Sequence, residues 1–210
     1  LFNAMVKPWT AFPIKGVIWY QGEANVGRSE QYEDLFPALI TDWRRQWRSD
    51  FPFYFVQLAN FMESKEIQPD SEWAALREAQ TKALKLDQVG MAVTIDIGLA
   101  DDIHPKNKQE VGRRLALVAL AGSYGKNVSS SAPVFQNYII KGNKMELDFG
   151  QKQDGFQIKG TTLKGFTIAG PDRVFYPAEA MVHDGKIILS STEVPAPLAA
   201  RYGWADNPDC

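Results

Sequence analysis

Up to Gly122 the apolar positions of this chain switch repeatedly between strand-like and helix-like periods. Residues 14–20 (IKGVIWY) form a mostly apolar, β-rich run that reads as a buried strand. It ends in the polar stretch Gln21-Gly22-Glu23-Ala24-Asn25. Ser29 is then placed to cap a helix in which Tyr32, Leu35, Phe36, Leu39, Ile40, Trp43 and Trp47 recur at helical spacing, with Pro37 set to kink it. Residues 53–58 (FYFVQL) predict a second buried strand. Ser71 caps a second helix through about residue 86, striped by Trp73, Leu76, Ala79, Ala83 and Leu84. Residues 91–97 predict a third strand, and 107–121 a third helix with Val111, Leu115, Val118 and Ala119 on one side.

Strands and helices that alternate through short connections predict βαβ units and a parallel sheet covered on both faces. Reactive groups in such sheets gather in loops beyond the carboxyl ends of the strands. Residues 21–25 and 101–104 both follow predicted strands, which argues for one shared site.

Beyond Gly122 the helical period is gone. Ser129-Ser130-Ser131-Ala132-Pro133 reads as a linker, followed by short β-rich runs at 134–140, 144–149, 166–169, 174–176 and 186–189. Lys141-Gly142-Asn143 and Asp184-Gly185 separate some of them, the second a strong hairpin signal. The expected organisation is therefore an α/β portion over 1–127 and a small antiparallel β module over 128–210, incomplete within this sequence.

Composition narrows the partners. With 45% hydrophobic and 23% charged residues the chain has the balance of a soluble globular protein. A net charge of −2 gives no electrostatic reason to expect nucleic acid or an anionic membrane, and no apolar run approaches a span of about 20 residues. Aromatic residues make up 12%, read chiefly as core, Trp19 and Tyr20 included, although exposed ones suit sugar stacking. Cys210, the single cysteine, excludes an intramolecular disulfide and has no neighbour that would activate its thiol. Both ends read as cut from something longer, so the missing targeting segment says nothing of compartment.

The chemistry concentrates in Gly98-Leu99-Ala100-Asp101-Asp102-Ile103-His104-Pro105. Imidazole passes protons near neutral pH, and a carboxylate a few residues away can hold its ring in one tautomer. Asp101, three residues before His104, has the spacing for a single loop turn; Asp102 is the alternative, with capping or solvation the competing role for either. Gln21, Glu23 and Asn25, with Gly22 allowing a tight turn, are candidates for donors and polar contacts around a developing oxyanion. The competing reading is a βα loop that satisfies its own backbone.

A nucleophile is missing. No Gly-x-Ser-x-Gly elbow occurs; Ser29 and Ser71 read as caps, Ser123 follows a helix, and Ser129 to Ser131 lie in the linker. A metal reading of Asp101, Asp102 and His104 has suitable ligand types but lacks a second histidine-rich cluster. His183, before Asp184-Gly185, is expected on an exposed hairpin, and Asp96 inside the third strand carries no assigned role.

Trp19-Tyr20-Gln21-Gly22-Glu23-Ala24-Asn25 and Asp102-Ile103-His104-Pro105 resemble motifs of the sialate O-acetylesterases, a branch of the SGNH (GDSL-like) hydrolases. Leu1-Phe2-Asn3-Ala4-Met5-Val6, Gly112-Arg113-Arg114-Leu115-Ala116-Leu117 and Arg201-Tyr202-Gly203-Trp204-Ala205-Asp206-Asn207-Pro208 are similar too. The resemblance implies a partial three-layer α/β/α sheet and removal of O-acetyl groups from sialic acids or related acetylated glycans, without metal or cofactor. It further implies a serine in a Gly-Gln-Ser-Asn type motif upstream of Leu1, so the missing upstream segment is itself an expected partner. The loop at Gln21, Gly22, Glu23 and Asn25 would serve the oxyanion and substrate. The family pattern Asp-x-x-His selects Asp101, whereas Asn-Asp-Ile-His selects Asp102, and both stay open. A secreted, periplasmic or lysosomal location is the matching expectation. The rival classes are a non-catalytic glycan-binding module and a metal-dependent hydrolase.

Overall fold

Short runs of aromatic and β-branched residues supply a parallel sheet in the order β1 (Val17–Trp19), β2 (Phe53–Val56), β3 (Val89–Ala92). The computed structural model describes residues 2–65, 67–130, 132–150, 158 and 161–210; Leu1 of the opening motif and Ser131 of the linker lie outside these. The chain divides into two compact units. One comprises Leu1–Ala59, Ala75–Gly98 and His104–Ser131, the other Asn60–Ala74, Leu99–Ile103 and Ala132–Cys210.

In the first unit β2 is central and buried at every position, which is why its run is apolar without alternation. Register sets Val17 beside Phe53 and Trp19 beside Phe55, on the face covered by helix α1 (Ser29–Trp47). Phe36 of α1 lies edge-on to Phe55 at 5.0 Å, and Trp43 edge-on to Trp19 at 5.8 Å. Tyr32, Phe36 and Ile40, four residues apart, form the buried stripe; Leu35 faces outward instead. The helix runs unbroken through Pro37, whose carbonyl accepts from Thr41 Oγ1 at 2.9 Å. Ser29 is not its cap. Arg28 occupies that position, having been led in by the turn at residues 23–25, and its guanidinium returns to the Ala24 carbonyl at 2.8 Å.

Helix α2 (Glu72–Thr81) is capped as expected, Ser71 Oγ accepting from the Ala74 N–H at 2.9 Å. It continues as a 3-10 turn over Lys82–Lys85, in which Leu84 is exposed. Helix α3 (Lys108–Gly122) packs on β3 and β2 at close range. A Cβ on Gly90 would lie 2.5 Å from Val118 Cγ1, and one on Gly122 2.5 Å from the Tyr54 hydroxyl. On this same face Ile18 of β1 is 71% exposed. The third strand is shorter than its apolar run: after Ala92 the chain leaves the sheet, and Asp96 lies in a turn where Arg114 engages it.

The second unit is antiparallel. One sheet has the order β4 (Asn137–Lys141), β5 (Lys144–Asp148), β9 (Lys186–Ser190), β8 (Glu179–His183); the other has β10 (Ala199–Tyr202), β6 (Phe166–Ala169), β7 (Phe175–Pro177). Alternation sends Met145, Leu147, Ile187 and Leu189 inward to meet Phe166, Ile168 and Val194. Asp184 and Gly185 both have positive φ (50° and 73°), the two-residue hairpin turn the sequence predicts, and His183 is exposed beside it. Strands β8 and β10 escape sequence reading because their inward positions are largely alanines, whose apolar signal is weak. The end of the chain is tied within this unit. The Asp206 carboxylate accepts from Ser71 Oγ at 2.6 Å and from Gln68, and Asn207 Nδ2 donates to the Met62 carbonyl at 2.7 Å.

Candidate active site

Because β1, β2 and β3 run parallel, the loops after β1 and β3 open on one rim of the sheet. Two strand spacings, about 10 Å, separate their stems. Lys108, the first residue of α3, narrows that gap, with its Nζ 4.8 Å from the centroid of the Tyr20 ring. Tyr20 stands immediately before the β1 loop and Lys108 four residues after His104.

The β1 loop is internally braced. Gln21 Nε2 donates to Asn25 Oδ1 at 2.7 Å, and Tyr32 OH donates to Gln21 Oε1 at 3.2 Å. Burial pushes the Tyr32 phenol up to about 12, so it remains a donor at neutral pH. Gln80 anchors the backbone: its Nε2 reaches the Gln21 carbonyl at 3.3 Å while its Oε1 accepts from the Leu58 N–H at 2.9 Å. Gly22 is buried against these groups, and a Cβ there would lie 3.1 Å from Gln80 Nε2 and 3.2 Å from Leu58 Cδ2. The turn at Glu23–Asn25 follows, with Glu23 half-buried; burial first and then the Glu23 charge raise the Tyr20 phenol to about 12. With its oxygen taken by Gln21, the Asn25 carboxamide directs its NH2 away from that bond, without an acceptor among the described residues. One side of this loop thus satisfies itself, while Asn25 keeps a donor available.

The β3 loop is different. Asp101 is exposed and Asp102 half-buried in the second unit's segment Leu99–Ile103, and exposed His104 opens the last segment of the first unit. Pro105 is buried, and Asn107 caps α3 by accepting from the Glu110 N–H at 3.2 Å. Among the described residues, no group of three or more His, Cys, Asp or Glu side chains gathers as metal ligands. Sequence reasoning missed Tyr32, Gln80, Lys108 and Arg114. The signal available was a polar residue interrupting an apolar stripe, as Gln80 does one position after buried Ala79.

The first unit is a parallel α/β layer, and a solved structure shares the fold. The chain superposes on the crystal structure of a carbohydrate acetylesterase from Xanthomonas citri with a TM-score of 0.89 and 43% identity, covering 98% of this chain and 49% of that one. Residues 1–121 match the family described as carbohydrate esterase, sialic acid-specific acetylesterase, and the chain belongs to that family. Mouse sialate O-acetylesterase is 38% identical over 99% of this chain, and the human protein 37% identical over 80% of it. The chain spans 42% of the mouse protein's length and 36% of the human one's.

Proposed function

We propose that this chain carries the histidine and acid part of a serine esterase that removes O-acetyl groups from sialic acids or related acetylated glycans. An upstream segment of the same protein supplies the nucleophile. The serine Oγ attacks the acetyl carbonyl while His104 takes its proton, with Asp101 or Asp102 orienting the ring. Amide donors near Gln21 and Asn25, the NH2 of Asn25 foremost, stabilise the tetrahedral oxyanion by about 3 kcal/mol each, with Gly22 and Glu23 completing the loop around the substrate. His104 returns the proton to the departing sugar oxygen. It next deprotonates the water that releases acetate and regenerates the serine.

The observation that carries this reading is the common rim. The loop with the available carboxamide and the loop with an exposed imidazole leave the same end of one parallel sheet, drawn together by Lys108 over Tyr20. The bare edge supports the division of labour. Among the described residues β1 pairs only with β2, and Ile18, Trp9 and Phe12 are 71%, 61% and 65% exposed, a surface suited to a further strand and helix.

The test is acetate release from an O-acetylated sialic acid, by the 210 residues alone and after assembly with a serine-bearing upstream segment. Turnover is expected only from the assembly, and is lost on changing either that serine or His104 to alanine. Robust, His104-dependent turnover by the isolated chain overturns the division of labour. Sugar binding without hydrolysis, indifferent to His104→Ala, would instead identify a glycan-binding module. Turnover abolished by chelation and restored by metal would identify the metal-dependent class.

A further inference from the structure

Arg114 reaches three places at once. Its Nη1 donates to the Val93 carbonyl at 2.7 Å and to Asp96 Oδ1 at 2.5 Å, its Nη2 to Asp96 Oδ2 at 2.8 Å, and its Nε to Glu110 Oε1 at 2.8 Å. Val93 and Asp96 form the strand-side stem of the loop that carries His104; Glu110, in the first turn of α3, forms the helix-side stem. The side chain is 21% exposed, and the Asp96 hydrogen bonds hold its guanidinium firmly in the charged form. Glu110 completes the arrangement. It follows the Asn107 cap at the spacing of a capping box, yet its carboxylate turns to Arg113 and Arg114, whose hydrogen bonds lower it to about 2.

We propose that Arg114 is a positioning residue: one guanidinium pins both stems of the 97–107 loop and thereby fixes where His104 stands at the rim. This rests on the esterase reading for its purpose, but not for its geometry. A loop closed between two anchors has fewer conformations to lose when His104 must be aligned. The fork is specific to arginine. Lysine, a single ammonium on a flexible stem, cannot serve a bidentate carboxylate, a carbonyl and a second carboxylate together.

Two readouts separate this proposal from the esterase reading. The chain has two histidines, so a His183→Gln background leaves His104 as the single imidazole signal in NMR. Arg114→Lys is expected to keep the far-UV circular dichroism of the parent. It should move that signal from its parent position and speed amide exchange over 97–107 by about tenfold or more. Asp96→Asn, an exposed-turn change tolerated if Arg114 variants fail to fold, should do the same to a smaller extent. In the assembled esterase, Arg114→Lys should lower kcat by about 10–100-fold with KM within about twofold. An unchanged His104 signal and unchanged exchange in both variants overturn the proposal. A loosened loop together with turnover indifferent to His104→Ala would leave the clamp standing and sink the esterase reading.

Discussion

The two loops that leave the rim of the parallel sheet are built differently. The β1 loop is short and cross-linked: Gln21, Asn25, Tyr32 and Gln80 form a chain of hydrogen bonds, and Gly22 sits where a Cβ would press on Gln80 and Leu58. The β3 loop is long; its stems are pinned at Val93 and Asp96 on one side and at Asn107 and Glu110 on the other, and Leu99 within it bridges to Phe61. The division suits their proposed tasks. A group that stabilises developing charge must be rigid beforehand, because reorganising it during reaction forfeits the electrostatic gain. A general base must instead hold a place and a tautomer while exchanging protons with two partners in turn.

The comparison predicts graded losses. His104→Ala should reduce kcat of the assembled esterase by about 10³–10⁴-fold with little change in substrate binding, measured as acetate release under saturation. Asn25→Ala should cost about 10²–10³-fold in kcat, the usual loss for one oxyanion donor. An effect on KM alone would mean that Asn25 serves binding instead. Gly22→Ala should destabilise the chain by about 1–3 kcal/mol in urea unfolding, because its Cβ crowds Gln80 and Leu58. The smallest effect belongs to the helix-side stem. The folded-state carboxyl of Glu110 is lowered to about 2 from 4.5, so its contribution is present above about pH 4.5 and fades as pH falls toward 2. Glu110→Gln should therefore melt slightly below the parent at neutral pH, and the gap should close across that window; high salt should shrink it as well.

Much of this architecture is legible from residue pattern. The unbroken apolar run at β2 announces a strand buried on both faces, and Ser71 caps where a short polar side chain precedes an apolar stripe; the cap of α3 falls on Asn107, which sequence reading does not single out. The Asp184-Gly185 turn is readable because two successive positive φ values suit those residues. Tertiary partners decide the rest. The apolar run at 91–97 continues past the strand, since Arg114 draws Asp96 out of the sheet from 18 residues away in sequence. Ser29 loses the capping role to Arg28 through the preceding turn, a backbone effect that residue type does not announce. At the site, Gln21 and Asn25 look equivalent along the chain. Only the direction of one hydrogen bond makes Gln21 the brace and Asn25 the available donor. Lys108 over Tyr20 joins loops 88 residues apart, and no local pattern encodes it.

The central claim is that the carboxamide loop and His104 act on one acetyl-transfer step, and a double-mutant cycle tests it most directly. Asn25→Ala, His104→Ala and the double variant would each be measured for kcat/KM in the assembled esterase. Groups that serve one transition state are strongly non-additive, so the double variant should fall within about tenfold of His104→Ala alone. Losses that multiply in full, each indifferent to the other, would contradict the account and assign the two loops to separate tasks.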